Sequence, residues 1–137
     1  MSCQSDPCKV LIVDDCELDR LISRKAVKTI CAVEEIKTFD HPEQALLYLY
    51  NTHIRGNMPE LIIVDKNMPA INGFDFIEEY KKINPGLFHV KIVLVSNDFS
   101  EIDLVKIKSN PSIFSSFLKP ITKEIMVALQ INSMQKP

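Results

Sequence analysis

Long apolar runs are missing from this sequence. Its purely aliphatic stretches, such as Val10–Val13 and Leu61–Val64, are four residues each. A membrane-spanning helix needs about 20, so the chain is expected to be cytoplasmic, with no membrane contact. The polar start, Met1 to Pro7, has no secretory pattern. An excess of basic charge is missing too. Sixteen Lys and Arg face eighteen Asp and Glu, for a net charge of −2. A nucleic-acid binder carries a basic stripe. Here the densest basic cluster, Arg24, Lys25 and Lys28, reads as the solvated face of a helix.

Paired cysteines are also lacking. Cys3, Cys8, Cys16 and Cys31 form no CxxC pair and have no histidine close by in sequence, which argues against zinc. Reduced thiols are the simplest account. No GxxxxGK[ST] or GxGxxG loop is present, so no nucleotide donor is indicated. No Ser-His-Asp or Cys-His arrangement suggests a hydrolase nucleophile.

What remains is an ordinary globular chain. In 137 residues, 46 % are hydrophobic and 25 % charged, enough for one core without disulfide or metal staples. One domain over 1–137 is expected. Short apolar runs alternate with amphipathic stretches. Val10–Val13 reads as a strand ending in Asp14-Asp15. Residues 17–30 read as a helix with Leu18, Leu21, Ile22, Ala26 and Ile30 on one face. Glu35–Phe39 is a second strand. Asp40 is the expected N-cap of a helix with Pro42 and Glu43 in its first turn and Ala45, Leu46, Leu49 and Tyr50 facing inward.

Leu61–Val64 is a third strand, ending in Asp65. After Pro69, Asn72 and Gly73, a helix from Phe74 to Ile83 buries Phe74, Ile77 and Tyr80 and stops at Asn84-Pro85-Gly86. Lys91–Val95 is a fourth strand, ending at Ser96. Ser100 to Asp103 resembles a capping box. The helix it opens has no clean apolar stripe and ends near Asn110-Pro111. Ile113–Leu118 is a fifth strand, closed by Lys119-Pro120. Thr122–Asn132 is a last helix on Ile125, Met126 and Leu129.

Five strands alternating with five helices predict an α/β fold, a doubly wound parallel sheet covered on both faces. In such sheets ligands sit beyond the carboxyl ends of the strands. Asp14-Asp15, Asp65, Ser96 and Lys119 all fall at those ends. Converging carboxylates repel, and one raises its pKa unless a cation offsets the charge. Mg²⁺ takes one or two carboxylates and keeps waters for a phosphate oxygen. Taken alone, Asp14-Asp15 reads equally well as acids at a helix start. Lys119 alone reads as a surface lysine, and Ser96 as a strand-end cap. Together they suit phosphoryl transfer to an aspartate, which needs positioning and charge neutralisation.

The segments Val10-Leu-Ile-Val-Asp-Asp15, Leu61-Ile-Ile-Val-Asp-Lys-Asn-Met-Pro69 with Gly73, Ile92-Val-Leu-Val-Ser96 and Phe117-Leu-Lys-Pro120 closely resemble the receiver domain of two-component response regulators, the CheY-like superfamily. The resemblance covers about residues 8–131. It implies a flavodoxin-like (βα)5 fold with strand order 2-1-3-4-5. It implies Asp65 as phosphoacceptor, Asp15 as a direct Mg²⁺ ligand, Asp14 acting through water, and the backbone carbonyl of Asn67 as a further ligand. Ser96 is expected to bind a phosphoryl oxygen and Lys119 to pair with the phosphate, while Asn67, Asn97 and Asp98 tune the chemistry. The implied donor is a sensor histidine kinase or a histidine phosphotransfer protein, and the implied output is a downstream protein contact.

Two positions depart from the family pattern. Ser116 stands where an aromatic residue usually reports phosphorylation, and Asn97 stands where a small residue is common. With only Ser133 to Pro137 after the last helix, a stand-alone receiver is expected. The competing readings are a receiver cut from a longer chain, a Mg²⁺-dependent phosphohydrolase and a phosphorylation-independent pseudo-receiver. Asn67 speaks against the hydrolase, which typically has a second Asp there.

Overall fold

The computed structural model describes residues 8–29, 33–87 and 90–135. Five strands, β1 (Cys8–Val13), β2 (Val33–Phe39), β3 (Leu61–Asp65), β4 (Lys91–Ser96) and β5 (Ser115–Leu118), alternate with five helices. These are α1 (Glu17–Val27), α2 (Pro42–Arg55), α3 (Gly73–Ile83), α4 (Glu101–Lys108) and α5 (Lys123–Gln135). The strands form one sheet in the order β2-β1-β3-β4-β5, all paired in parallel. No helix of the described residues is long and apolar enough to cross a membrane.

Strand periodicity divides the core. Val10, Ile12, Leu61, Ile63, Val93 and Val95 face one side, against Ala26 and Val27 of α1 and Met126 and Leu129 of α5. Leu11, Val13, Ile62, Val64, Ile92 and Leu94 face the other, against Ala45 and Leu49 of α2 and Phe76, Ile77 and Tyr80 of α3. Successive side chains on a strand point to opposite faces, and helices cover both. The three central strands therefore read as unbroken apolar runs.

Several helix faces differ from the sequence expectation. In α1 the buried residues are Ser23, Ala26 and Val27, while Leu18 and Leu21 are exposed at 61 % and 50 %. Leu21 lies about 140° around the helix from Ala26, so an apolar type alone did not identify the inward side. Ile30 lies outside the described residues. In α2, Ala45 and Leu49 are buried but Tyr50 is exposed. His41, not Asp40, is its N-cap, and Asp40 instead accepts a contact from His41 Nδ1 at 2.8 Å. In α3 Ile77 and Tyr80 are buried as expected, but the phenylalanine buried beside them is Phe76, with Phe74 half-buried.

β5 begins at Ser115, two residues later than expected, although Ile113 is buried ahead of it. The capping box of α4 is present: Ser100 Oγ accepts from Asp103 N–H at 3.1 Å, and Asp103 Oδ2 accepts from Ser100 N–H at 2.9 Å. Yet α4 buries no residue, and Ile102, Leu104 and Val105 are all exposed. Each buried aliphatic side chain is worth about 1.5–3 kcal/mol, so α4 lacks the anchoring that α3 has.

Candidate functional site

The order of strands reverses around β1 and β3, and the crevice beyond their carboxyl ends is where a doubly wound sheet opens. Asp14 follows β1 directly. Its backbone N–H donates to Phe39 O at 3.0 Å, which fixes it beside the end of β2. Asp65 is the last residue of β3 and Ser96 the last of β4. Lys119 follows β5, and its backbone N–H donates to Ser96 O at 2.8 Å. Four strand ends thus present Asp14, Asp65, Ser96 and Lys119 to one place.

Asp14 and Asp65 are buried and Asp15 is exposed; a carboxylate oxygen from each lies within 4.8 Å of the other two. The Lys119 ammonium reaches into this group. It stands 2.8 Å from Asp14 Oδ2 and 3.3 Å from Asp65 Oδ1, with its own side chain 7 % exposed. Asp14 Oδ1 also accepts from Cys16 N–H at 3.0 Å, and Arg20 donates to the Asp14 carbonyl at 2.9 Å. Cys16 is a free, exposed thiol; Cys3 and Cys31 lie outside the described residues.

Burial and the neighbouring Asp14 charge push the Asp65 carboxyl up to about 6, against the pull of Lys119 and a backbone hydrogen bond from Asn67. Burial by itself pulls the Lys119 ammonium down. Hydrogen bonds to Asp14 and Asp19 and the charges of Asp14 and Asp65 outweigh that and hold it above the usual lysine range. One ammonium balances more than one buried carboxylate, so the pocket is short of positive charge. Its donors are hard oxygens, the kind a small divalent cation prefers.

Ser96 is fully buried, and its Oγ accepts from Asp98 N–H at 3.3 Å. Asn67, Asn97 and Asp98 are exposed. Asn97 and Ser116 line a groove of about 480 Å³ with Phe99, Leu104 and Leu118. Phe117 is half-buried against the α1/α5 side of the core. Gly73 has a steric reason: a Cβ there meets Asp65 O at 2.6 Å, Leu94 Cδ1 at 2.7 Å and Lys66 Cα at 2.9 Å. Its N–H donates to Lys66 O at 2.7 Å, tying α3 to the end of β3.

Asp19 within the site, and Lys66 beside it but turned away, escaped the sequence reading. Asp19, on α1, accepts from Lys119 Nζ at 2.7 Å. In sequence it is one of several acids at a helix start, and its partner lies a hundred positions away. Lys66, next to Asp65, is 9 % exposed and pairs with Asp103 at 2.7 Å. A lysine directly after a strand end was the available signal, because buried lysines are rare unless paired.

Comparison with known proteins bears out the family resemblance and the fold. Residues 10–130 match the response regulator receiver domain. A two-component response regulator of Oryza sativa subsp. japonica, ORR13, is 32 % identical over 93 residues, covering 65 % of this chain and 68 % of that protein. The crystal structure of a two-component response regulator from Cytophaga hutchinsonii superposes with a TM-score of 0.87 at 23 % identity, covering 96 % of this chain and 100 % of that one. The receiver domain of the histidine kinase CKI1 from Arabidopsis thaliana, complexed with Mg²⁺ and BeF₃⁻, superposes with a TM-score of 0.75 at 20 % identity, covering 92 % and 90 %. At those identities the two structures establish the fold. Taken with the sequence match across nearly the whole sheet, they place this chain in the response regulator receiver domain family of two-component signalling.

Proposed function

We propose that this receiver takes a phosphoryl group on Asp65 from a phosphohistidine of a sensor kinase or phosphotransfer protein, and that the phosphorylated form changes a protein-interaction surface. The observation that carries the reading is the Lys119 ammonium, held within 2.8 Å of Asp14 and 3.3 Å of Asp65 in a pocket walled by strand ends. Such a cation meets the charge that spreads over the phosphoryl oxygens during transfer.

In this reading a carboxylate oxygen of Asp65 attacks phosphorus. The new O–P bond forms as the N–P bond of the donor breaks, and the bonding pair stays on the departing imidazole nitrogen. The raised pKa of Asp65 leaves it largely ionised at neutral pH, ready as a nucleophile. Ser96 is positioned at the end of β4 to donate its hydroxyl to a phosphoryl oxygen, and Lys119 to pair with another. Asn67, Asn97 and Asp98 stand at the rim, where they affect how water and donor approach.

The donor set fits Mg²⁺. Asp15, Asp65 and the Asn67 carbonyl would hold it, with Asp14 acting through water. When bound, the ion neutralises carboxylate repulsion and orients a phosphoryl oxygen. A receiver domain of the same fold, that of CKI1, is complexed with Mg²⁺ and BeF₃⁻, which supports a Mg²⁺ requirement here.

The test is incubation with acetyl phosphate and Mg²⁺, followed by intact mass. The expected result is an adduct of one phosphoryl group that disappears in Asp65→Asn and with chelator. An unmodified wild-type mass, under conditions that label a control receiver, rejects the reading.

A further inference from the structure

α4 is capped but unanchored. It buries no side chain, and among the described residues its contacts with the core are Ile107 and the Lys106 ammonium, 5.1 Å from the centre of the Phe74 ring. What holds its first turn is polar. Lys66 Nζ donates to Asp103 Oδ2 at 2.7 Å and to the Asp98 carbonyl at 2.9 Å, and lies 5.5 Å from the centre of the Phe99 ring. Asp103 Oδ2 is the same atom that accepts from Ser100 N–H in the capping box. The Lys66 backbone is tied on both sides. Its N–H donates to Val95 O at 2.8 Å and its carbonyl accepts from Gly73. One buried ammonium therefore joins the strand end bearing Asp65 to both the β4–α4 loop and the cap of α4.

The same loop touches Ser96. Asp98 donates its N–H to Ser96 Oγ and offers its carbonyl to Lys66. A continuous series of contacts runs from Ser96 through the Asp98 peptide to Lys66, Asp103 and the α4 cap. Ser116 contributes no ring on the β5 side that could act in parallel. A low-stability element held by few polar contacts is one that a small charge change can release.

We propose that Lys66 is a positioning residue that couples phosphorylation of Asp65 to release of the α4 N-terminus. The coupling rests on Asp65 being the phosphoacceptor. When the Ser96 hydroxyl turns to donate to the phosphoryl group, the Asp98 N–H loses its acceptor. The loop then moves, and Lys66 gives up the Asp98 carbonyl and its hold on Asp103. The surface carrying Ile102, Leu104 and Val105 is thereby freed to reposition.

Hydrogen exchange of peptides spanning residues 100–109, measured with and without acetyl phosphate and Mg²⁺, tests this, with phosphoryl occupancy taken from intact mass of the same samples. In the wild type, phosphorylation is expected to speed exchange of α4. In Lys66→Met and in Asp103→Asn, unphosphorylated α4 should already exchange roughly tenfold faster, with no further rise on phosphorylation and full adduct formation. Lys66→Arg should restore the wild-type response. A merely structural Lys66 gives faster exchange in both states with the phosphorylation response intact, and that result overturns the coupling. So does an adduct-bearing Lys66→Met with wild-type α4 exchange throughout. Absence of any adduct on the wild type removes the coupling together with the phosphoacceptor assignment, whereas a full adduct with an unaltered α4 response removes the coupling alone.

Discussion

The Lys119 ammonium lies closer to Asp19, at 2.7 Å, than to Asp65, at 3.3 Å. A residue from the first turn of α1 thus competes for the cation that the phosphoryl group is proposed to need. Asp19→Asn removes the competing charge. The expected outcome is a severalfold higher phosphorylated fraction at fixed acetyl phosphate, corresponding to about 1 kcal/mol of freed pairing. Intact mass across a donor titration reads it. An unchanged curve means Asp19 is only a surface acid.

The raised pKa of Asp65 predicts a pH-dependent stability cost. In the unfolded chain this carboxyl loses its proton near pH 4, but in the native state near pH 6. Between those values the native state holds more protons, so unfolding free energy falls as pH rises through that window and levels off above it. Asp65→Asn has no such loss. In chelator at pH 8 the variant is expected to be about 1–3 kcal/mol more stable than wild type, a gap that closes as pH falls toward 4. Urea denaturation at several pH values measures it, and a pH-independent gap contradicts the assignment.

Mg²⁺ should stabilise the fold through the acidic trio. At a hundred times its dissociation constant, an ion binding only the native state adds about 2.7 kcal/mol. Thermal melts with and without Mg²⁺ are expected to shift upward in wild type and much less in Asp15→Ala. Equal shifts in both proteins place the ion elsewhere.

Gly73→Ala drives a methyl into the backbone of Asp65 and Lys66. Neither neighbour can step aside without moving β3. A loss of about 2–3 kcal/mol is expected by denaturant unfolding. A near-neutral effect means that the start of α3 shifts freely relative to the strand.

Much of the architecture was legible because its signals are local. Each central strand is a four-residue aliphatic run, and each ends in a residue with obvious chemistry. Ser100 and Asp103 could be read as a cap because their partners are three residues apart. Helix faces were read less well. Leu18, Leu21 and Tyr50 are apolar yet exposed, since the inward side of a helix is set by where the sheet lies, not by residue type alone. Phe76 took the place expected for Phe74 for the same reason.

By itself the sequence determined a parallel α/β sheet and the set of groups at its carboxyl edge: Asp14, Asp15, Asp65, Ser96 and Lys119. Backbone periodicity does that, because a buried parallel strand must be apolar throughout and its polar residues collect at the ends. Only the tertiary structure decided how those groups divide their charge. Lys119 is shared among Asp14, Asp19 and Asp65, and Lys66 turns from Asp65 toward Asp103. These partners are distant in the chain, and Coulomb energy depends on separation and burial in space, which residue order does not encode.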